Sequence, residues 1–206
     1  MEMSLLIALS FSGGKDSMLA LYELQKQGHT IRCLFTTVWN ENNKTVAHEE
    51  SIQELETQAK RLQIPIHFVY TTMETYEKDF INTLQQLKEQ YNLTAVGFGD
   101  WYLEGHRMWG EDQAEKVGLK ALYPLWSKES EMIDQLRYFV RLGFKAKVIK
   151  VDEEKLPSSW LGRMIDEKFI EDIVKYDVCP MGEHGEYHTT VIDGPLFTDE
   201  KTEKKE

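Results

Sequence analysis

Short apolar runs alternate with longer amphipathic stretches over the first 125 residues. Between the runs, apolar residues recur at the three- and four-residue spacing of a helix, as Met18, Leu21 and Tyr22 do. Strands that alternate with helices predict a parallel sheet with helices on both faces, so we expect an α/β fold here. The apolar runs predict buried strands at 5–9, 31–38, 66–70, 94–98 and 119–123.

The pattern changes after Pro124. An amphipathic helix is predicted over 132–140 and a strand over 145–151, and β-branched and aromatic residues predict a late strand over 186–192. These elements predict two closely packed domains, with a smaller α+β domain over residues 126–197 after a first domain over residues 1–125. Residues 198–206 are almost wholly charged, so we expect a flexible tail.

Composition removes several classes of protein. Hydrophobic residues make up 41% and charged residues 29%, which is ordinary for a globular chain. The chain has no run of roughly 20 apolar residues and no basic leader before its first strand, so we expect neither a membrane span nor a signal peptide. Two cysteines are too few for a disulfide framework, which favours a cytoplasmic location. A net charge of −11 argues against a nucleic-acid partner.

A glycine loop follows the first strand, where residues 12–17 read Ser-Gly-Gly-Lys-Asp-Ser. Two glycines let consecutive N–H groups turn into one cavity, and a helix N-terminus adds a positive field, so the loop suits a phosphate group. We expect Lys15 to be exposed there and to add a full charge, with hydroxyl donors from Ser10, Ser12 and Ser17. The spacing fits neither G-x-x-x-x-G-K-[ST] nor G-x-G-x-x-G. The alternative is a tight turn whose serines cap the helix.

A second glycine segment spans residues 182–189 and reads Gly-Glu-His-Gly-Glu-Tyr-His-Thr. Its glycines predict a turn that approaches another group closely. Glu183 and Glu186 could hold Mg²⁺, or they could bind ammonium and take its proton. The alternative is a hydrophilic hairpin with no role. Zinc at His184 and His188 is disfavoured because the H-E-x-x-H order is missing.

Three further residues are predicted to face the same cleft. Asp100 follows the fourth strand, and His48 follows the loop after the second strand, where a water-exposed helix start is the alternative. Arg107 could bind a substrate carboxylate through two hydrogen bonds. Its spacing from Glu104 and Glu111 fits a surface salt-bridge ladder equally well.

Several of these motifs resemble those of a known protein family. Residues 12–17 match the S-G-G-x-D-S pyrophosphate loop of the N-type ATP pyrophosphatases. The diphthine–ammonia ligase branch of that superfamily is similar to this chain from Leu5 to Phe197. The resemblance to this branch is carried by 98–100, 124–126, 161–163, 182–189 and 194–197.

The resemblance implies a Rossmann-like domain of the adenine nucleotide alpha hydrolase type and an enzyme that uses ATP and Mg²⁺. Members of the family adenylate a carboxylate on a modified histidine of a translation elongation factor, release pyrophosphate and form an amide with ammonia. Together with the residue patterns, it assigns catalytic roles to Lys15, Asp16, His48, Asp100, Glu183 and Glu186. Nucleotide binding falls to Ser10, Ser12, Gly13, Gly14, Lys15, Asp16 and Ser17. Substrate binding falls to Arg107, Gly182, Gly185, His188 and Thr189.

The sequence is also compatible with two functions other than an amide ligase. One is a tRNA thiolase or another adenylating transferase, because related thiolases use the same loop with reactive cysteines and Cys179 directly precedes the second glycine segment. The absence of C-x-x-C and the acidic charge argue against it. The other is a module that senses ATP or AMP without turning it over. We also expect a homodimer.

Overall fold

The computed structural model describes residues 4–41, 44–46 and 51–198, and His48 lies outside this part of the chain. The strands are β1 (Leu6–Ser10), β2 (Thr30–Trp39), β3 (Ile66–Thr71), β4 (Ala95–Gly97), β5 (Lys120–Leu122), β6 (Lys145–Val151) and β7 (Tyr187–Asp193). The helices are α1 (Lys15–Lys26), α2 (Ile52–Leu62), α3 (Tyr76–Tyr91), α4 (Glu104–Lys116), α5 (Met132–Arg141) and α6 (Glu167–Ile173). None of the helices in the described ranges is both long enough and apolar enough to cross a bilayer.

Five parallel strands form the main sheet, in the order β3-β2-β1-β4-β5. Helices pack on both faces, and this confirms the predicted α/β fold. The chain runs outward from β1 to β3 and then returns to place β4 on the other side of β1. Open α/β sheets bind ligands at the carboxyl ends of the strands where the order reverses in this way. The loops that follow β1 and β4 therefore flank the expected ligand position.

Helix α1 illustrates how the sequence positions that edge. Its predicted apolar face is present, since Met18 and Leu21 are fully buried against the sheet. The helix ends at Lys26, and Gly28 just beyond its C-cap adopts φ +84°, a left-handed conformation that glycine tolerates without strain. Because α1 starts directly at Lys15, its N-terminus is fixed beside the end of β1.

The chain after residue 125 forms a two-stranded antiparallel sheet of β6 and β7, with α5 and α6 packed beside it. Its apolar side chains join those of α1 and the main sheet in one hydrophobic core, to which Leu136 and Phe139 of α5 contribute. The backbone N–H of Val191 in β7 donates to the carbonyl of Gly13 at 2.9 Å, so the second sheet reaches the glycine loop. The division into domains at residue 125 stays a prediction.

Candidate active site

The glycine loop joins β1 to α1 through a backbone that only glycine suits. Gly13 has φ +77°, and a Cβ atom added there would lie 2.5 Å from Leu55 and 2.6 Å from Gln58. Gly14 is the N-cap of α1, and no side chain caps the helix there. The positive end of α1 adjoins the cavity, and among its first backbone N–H groups that of Lys15 donates to Thr189 Oγ1 at 3.1 Å. The serines of the alternative interpretation contribute one long contact, in which Ser12 Oγ accepts from the backbone N–H of Gly14 at 3.4 Å.

Lys15 is buried, and the expectation that it is exposed was wrong. Its side chain is 2% exposed, with Nζ 2.9 Å from an Asp16 carboxylate oxygen. Nζ also donates to the carbonyl of Met181 and lies 4.9 Å from the ring centre of Tyr187. Met181 and Tyr187 are more than 160 positions away in sequence, which explains why the local pattern misplaced Lys15. Its charge lies inside the wall between the loop and the second glycine segment.

Strand β7 and helix α2 brace the glycine loop from behind. Thr189 Oγ1 accepts a hydrogen bond from the Lys15 backbone N–H at 3.1 Å. Gln58 Nε2 donates to the carbonyl oxygens of Gly13 at 3.0 Å and Val191 at 2.8 Å. Sequence reasoning missed Gln58, although one signal was available: it is a polar residue within the apolar face that Leu55 also marks. These contacts hold the backbone of the loop in place.

One cavity of about 260 Å³ opens beside the loop. It lies between the loops after β1 and β4 and the segment before β7, and it brings together most of the predicted site residues. Gly13, Gly14, Arg107 and Glu186 are not among the residues that line it. The lining comprises Ser10, Ser12, Lys15, Asp16, Ser17, Phe98, Gly99, Asp100, His106, Gly182, Glu183, Gly185, Tyr187, His188 and Thr189.

The turn that carries the two glutamates depends on its glycines. Gly182 has φ +70° and Gly185 has φ +78°, both left-handed. A Cβ atom on Gly182 would lie 2.9 Å from the carbonyl oxygen of Tyr187. Residues 182–186 form a turn rather than a helix, which is the geometry that the glycine spacing predicts. The turn places consecutive side chains on different sides.

As a result, Glu183 and Glu186 face different surroundings. Glu183 lines the cavity, and its carboxylate accepts a long hydrogen bond of 3.4 Å from the backbone N–H of Trp101. Burial, reinforced by the neighbouring charge of Asp16, raises the pKa of Glu183 to about 7. Glu186 is 3% exposed, and its two oxygens accept from the backbone N–H groups of Cys179 at 3.0 Å and His184 at 2.9 Å. Because Glu186 does not line the cavity, the two carboxylates do not face it together, and a Mg²⁺ ion shared by the pair stays a prediction.

Sequence reasoning also missed His106, which lies in the first turn of α4. Its Nδ1 atom lies 3.1 Å from a carboxylate oxygen of Asp100. Ligand atoms of Asp100, His106 and Glu183 all lie within 4.8 Å of one another. The available signal was position, since a residue just after the start of α4 must lie near the carboxyl end of β4. We call these three residues the acidic cluster.

Asp16 connects the acidic cluster with the loop. One of its oxygens accepts from the Lys15 ammonium, and the other accepts from the indole N–H of Trp101 at 2.8 Å. Trp101 is fully buried and packs in the hydrophobic core.

Arg107 lies outside the cavity. It pairs with Glu111 at 2.8 Å, which matches the alternative of a surface salt-bridge ladder.

A second cavity of about 420 Å³ adjoins the first and shares Ser10, Phe98, Asp100 and His106 with it. Its other walls are largely aromatic and come from β2, α3 and α4. They include Phe35, Tyr76, Phe80 and Trp109. A flat, partly apolar group would fit between such walls.

The parallel sheet, the order reversal beside β1 and the glycine loop at that position define a nucleotide-binding α/β protein with a pyrophosphate loop. Family comparison then gives the particular family. The model described as the diphthamide synthase N-terminal domain matches residues 5–121, and the diphthamide synthase C-terminal domain matches residues 131–204. The chain belongs to the diphthamide synthase family.

Several curated proteins are similar to the chain. The diphthine–ammonia ligase of Homo sapiens is 28% identical over 93% of this chain and 80% of its own length. The enzyme of the same name from Mus musculus is 29% identical over the same shares. A tRNA-specific 2-thiouridylase of Mycoplasmopsis pulmonis is 29% identical over 41% of this chain and 26% of its own length.

Among solved structures, the U34-tRNA thiolase NcsA of Methanococcus maripaludis is similar, with a TM-score of 0.41 and 15% identity. The likeness covers 67% of this chain and 57% of the thiolase.

Proposed function

We propose that this protein is an ATP-dependent ligase that adenylates a carboxylate, releases pyrophosphate and then forms an amide with ammonia. One observation carries the proposal: a single cavity joins the glycine loop after β1, Asp100 after β4 and Glu183 from the C-terminal part of the chain. A site for phosphates and a site for proton transfer are thus open to the same bound molecule. The names of the curated relatives support the same reaction.

The glycine loop is the proposed site of the departing pyrophosphate. The backbone N–H groups at the N-terminus of α1 supply donors and a positive field, Ser12 and Ser17 place hydroxyl groups on the cavity wall, and the buried charge of Lys15 supports them from within the wall. Fixed donors of this kind stabilise charge that develops on a leaving group without having to reorganise. The aromatic cavity beside the loop is the proposed site of the adenine ring.

Mg²⁺ is proposed to accompany ATP and to offset part of the charge on its phosphates. Asp16 is the carboxylate nearest to the glycine loop and the one that would hold the ion there. Each of its oxygens accepts one hydrogen bond, which leaves a lone pair on each oxygen for a cation. The proposed ion therefore lies at the loop itself rather than between Glu183 and Glu186.

The proposed acceptor is a carboxylate that a protein carries, and diphthine on a translation elongation factor is the first to test. The test incubates the full chain with ATP, Mg²⁺, ammonium and that elongation factor. We expect AMP, pyrophosphate and an amidated product, measured by chromatography and mass spectrometry. Release of ADP and phosphate would contradict the adenylation mechanism. Tight ATP binding without AMP formation from any carboxylate would favour the sensor.

The thiolase alternative finds no support in the described cysteines. Cys33 and Cys179 are both buried, and burial raises the pKa of Cys33 to about 12, which keeps it protonated at neutral pH.

We propose further that the protein is cytoplasmic and forms a homodimer. Two free, buried thiols are compatible with a reducing compartment, and analytical ultracentrifugation would test the dimer.

A further inference from the structure

A histidine and an aspartate form a hydrogen-bonded pair at the acidic end of the cavity. His106 Nδ1 and an Asp100 carboxylate oxygen are 3.1 Å apart. Asp100 follows β4 and His106 lies in the first turn of α4, so the local chain holds the two side chains together. Since Nδ1 is engaged with a carboxylate, Nε2 is the ring nitrogen left to exchange a proton.

We propose that His106 is the base that takes a proton from ammonium, and that Asp100 is the residue that positions it. This inference rests on the proposed ligase function and adds a catalytic residue to it. At neutral pH ammonia is present almost entirely as ammonium, which has no lone pair with which to attack. A ligase that uses ammonia therefore needs a group that removes a proton within the site.

The electrostatics of the cavity favour a cation at this position. Asp100 and Glu183 lie beside His106, and Asp16 adds a third carboxylate further along the wall. Over half of the His106 side chain is exposed, so ammonium can reach the ring from solvent. The hydrogen bond to Asp100 raises the pKa of His106, which makes the ring a stronger base. Besides His106 itself, the titratable or charged side chains around the two cavities are Lys15, Asp16, Tyr76, Asp100, Glu183, Tyr187 and His188.

The proton and electron balance of the step is simple. One proton of ammonium passes to Nε2 of His106 and leaves neutral ammonia. The ammonia nitrogen attacks the carbonyl carbon of the acyl-adenylate, the C–N bond forms, and the C–O bond to AMP breaks with its electron pair on AMP. A second proton leaves the nitrogen to water as the amide forms. No oxidant, reductant or further reactant is required.

The same cluster could instead bind a metal ion, and the hydrogen bond argues against that alternative. Nδ1 of His106 and the facing oxygen of Asp100 already serve each other as donor and acceptor at 3.1 Å. A metal ion would have to break this hydrogen bond to use both atoms. The observed pair is the arrangement of a base and the carboxylate that orients it.

The test replaces His106 and changes the nucleophile. In His106→Asn the amide nitrogen can take the place of Nδ1 and keep the hydrogen bond to Asp100, but no titratable nitrogen remains. With the diphthine-bearing elongation factor at neutral pH, we expect ammonium-dependent amide formation to fall about 10²-fold or more. We expect hydroxamate formation from hydroxylamine to be retained, because hydroxylamine is already a free base at that pH. ATP–pyrophosphate exchange, which reports adenylation alone, should also be retained.

The pH profile gives a second readout. In the wild type, protonated His106 cannot accept a proton, so amide formation should rise with pH as the ring deprotonates and then level off. In His106→Asn the rate should follow free ammonia and keep rising through the alkaline range, so that the deficit shrinks. His29→Gln, at the opposite end of the sheet, is the matched histidine control and should behave as wild type.

The outcomes separate the inference from the function on which it rests. Loss of both amide and hydroxamate in His106→Asn, or retention of both, would overturn the role of His106. The protein can also be treated with EDTA, freed of it and assayed with Mg²⁺ restored; loss of amide formation while ATP–pyrophosphate exchange persists would then favour another metal in the acidic cluster. If the wild type forms neither product, the ligase proposal fails for that acceptor. An NMR titration of the His106 ring then still decides the pair: its pKa must fall in Asp100→Asn, and an unchanged pKa would overturn the pairing.

Discussion

The two ends of the cavity are built in opposite ways. At the loop end, backbone groups dominate: Gly13 and Gly14 shape the turn, β7 and Gln58 hold it, and the one lysine is buried in its wall. At the acidic end, side chains dominate, and His106 and Glu183 both have pKa values raised by their surroundings. Fixed dipoles suit the binding of phosphates, and groups that titrate near neutral pH suit proton transfer. The difference indicates that ATP binding and amide chemistry should be separable by mutation.

The largest expected effect comes from closing the loop end. Gly13→Ala would place a Cβ atom 2.5 Å from Leu55 in a left-handed conformation, and both problems require the loop to move. We expect ATP binding, measured by calorimetry, to be lost. Gly28→Ala is the control, since Gly28 is also left-handed but has no atom within 4 Å of the added carbon. Equal loss of ATP binding in both variants would show that the clash at the loop is not the cause.

Removing a charge at the acidic end should leave ATP binding intact and slow amide formation. In Glu183→Gln the amide can still accept from the backbone N–H of Trp101, and the glycine loop is untouched. We expect amide formation to fall about 10²-fold while ATP affinity is unchanged. A parallel loss of ATP affinity would mean that the two ends of the cavity do not act separately.

The pH dependence of stability provides a further test of Glu183. Its pKa of about 7 in the folded protein is above the ordinary value of 4.5, so the folded state holds the proton more tightly than the unfolded state. Stability should therefore fall as pH rises from about 4.5 to about 7, by about 3 kcal/mol for this group. Urea unfolding of the nucleotide-free protein at several pH values would show this decline in the wild type. Glu183→Gln should lack that part of it, and identical profiles would refute the raised pKa.

For Glu186, three residues away, substitution should lower the stability of the protein rather than its activity. A glutamine there offers one acceptor oxygen, so one of the backbone N–H groups of Cys179 and His184 would lose its partner. We expect a loss of about 1–3 kcal/mol in the free energy of unfolding, measured by urea denaturation. The variant should lose activity only to the extent that it is unfolded under the assay conditions. A fully stable but inactive Glu186→Gln variant would instead place Glu186 in the chemistry.

The smallest effect is expected for Cys179→Ala. The backbone N–H that donates to Glu186 is kept, and the thiol is buried and does not line either cavity. We expect turnover and ATP binding to match the wild type in the assays above. An essential thiol would revive sulfur transfer as the reaction.

Sequence reasoning predicted the fold and the loop end better than the acidic end. The period of apolar residues is a local signal, so the order of strands and helices and the turn at Gly13 could be predicted from neighbouring residues. The burial of Lys15, the role of Gln58 and the position of His106 depend on contacts between segments far apart in sequence. Glu183 and Glu186 looked equivalent because spacing alone does not reveal which side of a turn a residue faces. The fold separates them, since Glu183 lines the cavity and Glu186 accepts hydrogen bonds from backbone N–H groups of the turn.

The hydrogen bonds of Gln58 determine which fragments of this protein can be expected to bind ATP. The two family models divide the chain between residues 121 and 131, yet the carbonyl of Gly13 accepts from Gln58 on one side of that cut and from Val191 on the other. An N-terminal fragment expressed alone would present its nucleotide loop without the strand that shapes it. Recombination between relatives should succeed only when α2 and β7 come from the same parent, and split halves should regain ATP binding only when they reassemble.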